Sequence, residues 1–445
     1  MRVFPLRNWH PTQLVVGGFV VLILAGAGLL WLPISHGDSA AHPGIVRCLF
    51  TATSAVSVTG LTNVAASDWS PFGELVLMLL MQIGGFGIMT AGAVLVLITS
   101  QKLGIRQRMV AQAEIGALTP GEVKGLARTI AIATVLIEGV VAVILTLRLW
   151  AGGYERLPSA IWSGIFHSIA SWNNAGMSLY DDNLSRFVGD PIVVLTVTFA
   201  IIIGGIGFPV LLELRRERRA RRWSLHTKIT LLATAALVVA GPLVVTVFEW
   251  SNDRTLGRLP VGDRLLAGWF QGITPRTAGF NTVDIGGLRS STLLVMIVLM
   301  FIGAGAASTA GGIKVTTFAV VGFAVWGEVR GSGEPTVFRR RIPDAAIRQA
   351  LSIVALAIGS IVASVLLLVT IAPVELTQAA FETVSAFGTV GLSTGITGSF
   401  EWTAQFVLIA VMLAGRVGPT TFASALVSRE QPRHFRYPEE RPILG

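Results

Sequence analysis

Four short strings in this 445-residue chain have the composition of a cation-coordinating turn: SAVSVTGLTNV (54–64), SWNNAGMSLYD (171–181), TPRTAGFNTVD (274–284) and SAFGTVGLSTG (385–395). Each centres on a glycine: Val58-Thr59-Gly60-Leu61, Asn174-Ala175-Gly176-Met177, Thr277-Ala278-Gly279-Phe280 and Thr389-Val390-Gly391-Leu392. No acid occupies these core positions, so the coordinating groups they offer are backbone carbonyls. A dehydrated monovalent cation must exchange its water for oxygens of similar strength, and carbonyls aimed inward supply them. Aiming consecutive carbonyls the same way takes unusual dihedrals, which glycine adopts without steric penalty. Read singly, each string is also compatible with an ordinary tight turn between helices. The spacing argues otherwise: the glycines lie 116, 103 and 112 residues apart, so four similar units account for the chain. Asn174 and Met177 depart from the small and aliphatic residues of the other strings, which leaves the second turn's geometry open.

Such turns must be held by elements that the residue pattern also predicts. Apolar runs long enough to cross a bilayer fall at about 12–34, 71–99, 126–150, 190–214, 227–250, 291–327, 346–371 and 402–427. Between alternate pairs lie shorter apolar segments near 44–56, 158–172, 262–274 and 375–387, each leading into one of the glycine strings. They are too short to span, and re-entrant helices of this kind survive at membrane depth only when buried in protein or lining water. The predicted fold class is therefore an all-α polytopic membrane protein with eight transmembrane helices and four re-entrant pore helices. Its pseudo-fourfold pore-loop repeats are expected at 1–107, 108–222, 223–341 and 342–445. The negative ends of the pore-helix dipoles would face the membrane centre and favour a cation there.

Composition agrees. The chain is 52% hydrophobic and only 13% charged, about half the charged fraction of a soluble domain. A net charge of +9 would suggest nucleic acid in a soluble protein. Here the basic residues cluster between alternate apolar runs: Lys102, Arg106, Arg108, Lys124 and Arg128; Arg215, Arg216, Arg218, Arg219, Arg221, Arg222 and Lys228; and Arg330, Arg339, Arg340, Arg341 and Arg348. The positive-inside rule then places these loops and both termini in the cytoplasm, in the cell's inner membrane, with no nucleic-acid partner. Arg2 and Arg7 ahead of an apolar run resemble a signal peptide, but the run is long enough to be a retained first helix. Cys48 is the single cysteine, which excludes an internal disulfide and a thiolate metal cluster. His36 and His42 read as an exposed loop pair.

A second constellation lies in the sixth run, FIGAGAASTAGGIKVTT (301–317). Gly303, Gly305, Gly311 and Gly312 each cost a helix about 1 kcal/mol relative to alanine. Ser308 and Thr309 compete for its backbone hydrogen bonds. A break is predicted across Gly303-Ala304-Gly305-Ala306-Ala307-Ser308-Thr309-Ala310-Gly311-Gly312, forming a loop beneath the glycine turns. Close helix packing through small residues is the competing reading. Lys314 follows this segment and Arg416 lies inside the eighth run; buried charges of this kind mark a pathway or a pair. Arg416 either repels a passing ion or caps buried groups, and Lys314 either faces the path or snorkels. Glu138 and Glu382 read as structural partners of turn-supporting groups, and Arg276 as a brace of the third string.

The strings VTGL, NNAGM, RTAGF and FGTVGL, with the broken sixth run and LAGRVGPTTF, resemble the Ktr/Trk/HKT superfamily of potassium transporters over essentially the full length. The layout without extra amino-terminal helices is most similar to the membrane subunit of bacterial Ktr systems. The resemblance implies that K+ is the transported ion, held at the filter carbonyls of Gly60, Gly176, Gly279 and Gly391. It implies that 303–312 is a gate, with Arg416 restricting the pore beneath the filter. It implies no covalent cofactor and nucleotide bound only through a partner subunit, and it leaves activation by Na+ open. The implied partners are membrane lipid, a second copy of the chain in a homodimer, and a cytoplasmic KtrA-like regulatory ring. No phosphorylatable Asp-Lys-Thr-Gly string, ATP-binding motif or catalytic triad is present, so neither a pump ATPase nor an enzyme is expected. A sodium-coupled or sodium-selective secondary transporter is the alternative; it should show inverted halves with two interrupted helices, whereas this sequence shows one interrupted run and four parallel repeats.

Overall fold

A computed structural model of the protein describes residues 11–37, 42–101, 120–331 and 335–418. The expected basic loop at 102–119 and the end of the last apolar run lie outside them. The described residues form fourteen α-helices and one short hairpin. The helices recur in four units, each a long helix, a short helix, a turn and a further helix. The first unit is α1 (Pro11–Trp31), α2 (Ile45–Val56) and α3 (Pro71–Gln101). The second is α4 (Pro120–Ala151), α5 (Leu157–Trp172), α6 (Pro191–Ile206) and α7 (Phe208–Arg216). The third is α8 (Leu225–Glu249), α9 (Val261–Ile273), α10 (Ser290–Phe301) and α11 (Val315–Val329), followed by strands β1 (Thr336–Val337) and β2 (Arg340–Arg341). The fourth is α12 (Asp344–Ile371), α13 (Leu376–Gly388) and α14 (Trp402–Val417).

The outside of this assembly is apolar. Helix α4 exposes Ile132, Val135, Leu136, Val140, Val143 and Leu147, and α12 exposes Leu351, Ile358, Val362 and Leu366. Bands of that extent are not left in water by a soluble monomer; they fit a membrane protein. Ala127–Ala151, Leu225–Glu249 and Asp344–Ile371 are each long and apolar enough to cross a bilayer alone. The inside carries the polar groups. The short helices α2, α5, α9 and α13 bury Phe50, Phe166, Phe270 and Phe381 almost completely. These rings lie ten, ten, nine and ten residues before the glycine of their unit, so each short helix is anchored by the same side chain at nearly the same height.

Three expectations are corrected. The run 190–214 is not one helix: α6 and α7 meet at 90°. Gly207 takes φ +97° and ψ 140°, which no helix contains, and Pro209 in the first turn of α7 starts a new helix there. The chain therefore has two interrupted helices among its described residues, and the string GGIGFP (204–209) carried the signal. His36 is not exposed. It is buried beside Trp69, with the His42 ring edge-on at 5.3 Å. Burial and the neighbouring His42 hold its pKa below the usual imidazole value, outweighing the opposite pull of Asp68.

Capping groups fix where the long helices begin. Asp190 caps α6 by accepting from the amides of Ile192 and Val193, and it also holds the Arg148 guanidinium of α4 at 2.7 Å. At the end of α8 the buried carboxylate of Glu249 accepts from Thr255 Oγ1 (2.6 Å), Asn252 Nδ2 (2.6 Å), the Arg289 amide (3.0 Å) and Thr292 Oγ1. It thereby ties α8 to the start of α10. Glu249→Ala strands several buried donors at once, each costing about 1–3 kcal/mol. A loss of at least ~3 kcal/mol is expected, read as a lowered unfolding midpoint in detergent, with Glu249→Gln intermediate.

Candidate functional site

The four glycine turns meet. A methyl built on Gly60 would fall 2.3 Å from the Ala175 carbonyl oxygen, and one on Gly176 would fall 2.7 Å from Gly279 Cα. One on Gly279 would fall 2.2 Å from the Val390 oxygen, and one on Gly391 would fall 2.2 Å from the Thr59 oxygen. Each unit therefore touches the next, and the fourth closes on the first. Real side-chain carbons do not approach other atoms so closely, so these positions accept no side chain. This closed ring brings together residues 58–61, 174–177, 277–280 and 389–392.

The backbone of the ring is unusual in the same way four times. Gly60, Gly176, Gly279 and Gly391 have φ of +95°, +64°, +74° and +96°. Two residues earlier, Val58, Asn174, Thr277 and Thr389 have φ of +56°, +57°, +66° and +49°. The carbonyl of the residue between them faces a neighbouring unit's glycine in every case: Ala175 O toward Gly60, Ala278 O toward Gly176, Val390 O toward Gly279 and Thr59 O toward Gly391. For Val58, Thr277 and Thr389 the left-handed backbone is a strained state, since β-branched residues rarely adopt it and each such residue costs of order 1–3 kcal/mol. Asn174, the departure noted in the second string, is a residue that tolerates this conformation well. Its amide nitrogen, turned toward the Ser171 and Ile201 carbonyls, donates to both at 3.0 and 3.3 Å. Its φ matches its counterparts.

The strain is held from below and behind. The Thr59, Ala175 and Val390 amides each donate to the carbonyl five residues back, at 2.7–2.8 Å, whereas Ala278 donates to Thr274, four back. The third unit has one residue fewer between its phenylalanine and its glycine, and the shorter closure absorbs the difference. In the first and fourth units a serine hydroxyl latches the ring glycine: Gly60 N donates to Ser54 Oγ (3.0 Å) and Gly391 N to Ser385 Oγ (3.1 Å). Ala170 stands at the matching place in the second unit and cannot. Sequence reasoning missed Ser54 and Ser385, although the spacing SA-x4-G is visible in both strings.

Carboxylates complete the support. Glu382 accepts from Ser393 Oγ (2.6 Å), Thr394 N (2.9 Å) and Thr397 Oγ1 (2.8 Å), pinning the segment after Gly391. Glu138 accepts from Gln82 Nε2 (3.2 Å) and Asn173 Nδ2 (3.3 Å) behind the second turn. Arg276 is buried with Nη2 3.5 Å from Thr234 Oγ1, so it links the third turn to α8. Above the ring opens a cavity of about 620 Å³, whose lining includes Gly60, Gly176, Gly391, Asp181, Asp182 and Asp284.

Below the ring, residues 302–314 leave the helix between α10 and α11. The ends of this loop pair with each other: Gly303 N donates to Ile313 O (2.9 Å) and Val315 N to Ala304 O (2.9 Å). Its middle is bonded to the break of the second unit, through Gly305 N to Gly205 O (2.8 Å) and Phe208 N to Ala307 O (3.2 Å). Its far side meets the fourth unit, through Gly311 N to Thr389 Oγ1 (3.1 Å) and Gly312 N to Gly415 O (3.2 Å). The hydroxyls of Ser308 and Thr309 are buried without a protein partner. Lys314 Nζ turns back onto the Ala310 and Gly311 carbonyls at 2.7 and 3.2 Å. Arg416 is buried; Nη1 donates to Thr309 O (2.5 Å) and Nη2 to Gly84 O of α3 (2.7 Å). It clamps the loop to the first unit and pairs with carbonyls rather than with an acid.

Comparison with known proteins bears on what this arrangement belongs to. Residues 2–437 match the family model described as TrkH, cation transport protein. The chain is 41% identical to the Ktr system potassium uptake protein B of Bacillus subtilis, covering 100% of this chain and 99% of that one. It is 33% identical to the potassium/sodium uptake protein NtpJ of Enterococcus hirae, covering 99% and 98%. The solved potassium transporter TrkH of Vibrio parahaemolyticus shares the fold with a TM-score of 0.77 at 18% identity, over 96% of this chain and 87% of that one.

Each hydrogen bond from a charged donor contributes about 1.5–3 kcal/mol. Arg416→Met removes two that hold the loop, so amide exchange across 303–312 should accelerate at least tenfold in hydrogen-exchange mass spectrometry. Unchanged protection would show that the loop stands without the clamp.

Proposed function

The chain belongs to the TrkH family of cation transport proteins, a family of transporters and not of enzymes, and from that premise we propose that it conducts potassium ions through the glycine ring as a channel-like uptake protein. The observation that carries this reading is the closure of four left-handed backbone turns around one point, with no side chain able to enter. A potassium ion shedding its water there meets carbonyl oxygens only. Side chains are kept out, so the ring discriminates by spacing and number of oxygens rather than by charge. The cavity above the ring carries Asp181, Asp182 and Asp284, which raise the local cation concentration at its mouth.

On this reading each of the four units crosses the membrane twice, making eight spans with α2, α5, α9 and α13 as re-entrant pore helices. The cavity is external and the basic loops and termini are cytoplasmic. Residues 303–312, with Lys314 and Arg416, form the gate. Support comes from the loop's bonds directly beneath Thr389 and from the buried Arg416 and the half-buried Lys314, whose charges oppose a permeating ion. A cytoplasmic regulatory subunit that binds nucleotide would act from the basic face, on a homodimer of this chain. The names of the relatives support potassium as cargo, and the potassium/sodium uptake protein among them makes sodium the competing ion to test.

Expression in a bacterium lacking potassium uptake should restore growth at low external potassium; failure of a well-folded, membrane-inserted protein to do so would remove the proposal. Gly60→Ser and Gly391→Ser should lower the potassium-over-sodium permeability ratio in liposome flux at least tenfold, about 1.4 kcal/mol. Deleting two or more residues within 303–312 should raise flux in the absence of any partner subunit; flat or reduced flux would count against the gate.

A further inference from the structure

A second concave site lies far from the ring, at the start of α8. The chain turns through Arg219–Trp223, and Trp223 Nε1 donates to the Glu217 carbonyl at 2.9 Å. Ser224 then caps α8 by accepting from Thr227 N at 3.2 Å. A groove of about 420 Å³ opens here, lined by Arg221, Trp223, Lys228, Leu231, Leu232 and Phe338, with Ala220 at its edge. No acidic side chain lines it. Lys228 Nζ donates to the Arg221 carbonyl (3.1 Å) and lies 5.9 Å from the Phe338 ring, so the ammonium is fixed on the groove wall.

Phe338 is brought there at a conformational cost. It sits with Arg339 at the tip of the β1–β2 hairpin, where both residues have positive φ, +50° and +63°. Such two-residue turns favour asparagine and glycine, so a phenylalanine and an arginine are held in strain. The tip carries exposed Arg339 and Arg340, adding charge of the same sign.

The other end of the groove is apolar and continuous with the outside of α8. Leu232, Val239, Leu243 and Val247 are each more than half exposed and fall on one helical face. The groove is thus apolar and aromatic within, carries Arg221 and Lys228 among its lining residues, and runs into the apolar stripe of α8. That division matches one molecule: a phosphate-bearing head on the cations, an aromatic rim at the interface, and an acyl chain along the stripe.

We propose that this groove seats an anionic glycerophospholipid of the cytoplasmic leaflet. The placement rests on the membrane orientation proposed above. The lipid's phosphate and anionic head lie against Lys228 and Arg221, between Trp223 and Phe338, and one acyl chain follows Leu232 up α8. Occupancy ties the β1–β2 hairpin to the start of α8, and α8 is itself bonded to α7 through Ser224 and Thr227, whose donors meet Glu213.

The test is retention of lipid by the purified full chain. After equilibration with vesicles of phosphatidylglycerol or of phosphatidylcholine, native mass spectrometry in mild detergent should show phosphatidylglycerol retained at least tenfold more than phosphatidylcholine. Lys228→Gln with Arg221→Gln should abolish that preference, while Lys228→Arg should keep it, and all variants should elute as wild type on gel filtration. Equal retention of the two lipids by wild type would overturn the proposal, as would an unchanged preference in the folded double variant. Retention is read without ion flux, so the lipid site can fail while transport stands, and transport can fail while the lipid site stands.

Discussion

Four backbones passing within van der Waals distance of one another at a single point is the constraint on which this structure depends. At Gly60, Gly176, Gly279 and Gly391 even a methyl group would overlap a neighbouring carbonyl or Cα. Closeness of that order cannot be set by the turns themselves, because a strained turn of four residues has no rigidity of its own. It is set by the four short helices, each fixed by a buried phenylalanine and each closed by a backbone bond into the turn. The outer helices are fitted to the same purpose. Gly84, Gly204 and Gly415 give the last carbonyls of α2, α5 and α13 a seat without a side chain, so a methyl there would strike Val56, Trp172 or Phe387. Small residues at such crossings let helices approach in a membrane, where apolar burial gives no drive to association.

The ring is only approximately fourfold. The first and fourth units share the serine latch and nearly identical glycine φ values, while the second and third lack the latch and have φ some 20–30° smaller. Local sequence thus divides the ring into two adjacent pairs. The unlatched turns are held through their carbonyls instead, Phe280 O accepting from Thr274 Oγ1 (2.5 Å) and Gly176 O from Asn183 Nδ2 (3.4 Å).

Much of this was readable in the residues, and the exceptions have physical causes. The four glycine strings, the short helices before them and the break after Phe301 follow from composition and spacing, because glycine content and apolar length act locally. The right angle at Gly207 was missed because a long apolar run outweighs one glycine and one proline when hydropathy is averaged; the fold breaks there because the loop at 305–307 supplies the backbone partners that a helix would have provided. The closing of the ring in the order first, second, third, fourth unit is likewise tertiary. No string names the carbonyl its glycine will face. Arg416 was identified as a buried cation, yet its partners, Thr309 and Gly84, lie 107 and 332 residues away and are backbone groups that carry no residue signature.

The loop between α10 and α11 gains meaning from the number of units it joins. It begins and ends in the third unit, bonds to Gly205 and Phe208 of the second, and meets Thr389 and Gly415 of the fourth. Through Arg416 it is tied to Gly84 of the first. Backbone at this depth must find partners in protein or in water, so the loop cannot leave its place unless those partners are replaced. Replacement is available in two forms: water entering from below, or a repositioned α7, whose first amide already holds the loop at Ala307. Helix α7 is short and amphipathic, ends in Arg215 and Arg216, and is bonded through Glu213 to the start of α8. A displacement at the basic face therefore reaches Ala307 through a rigid helix and one hydrogen bond, without passing through the ring. In the proposed transporter the filter and the gate nevertheless share one contact, the Gly311 amide on the Thr389 hydroxyl. The ring is closed by contacts among its own glycines, and the loop hangs from it through the Thr389 hydroxyl, so a shift of α7 that breaks the Ala307 bond bears on the fourth turn as well.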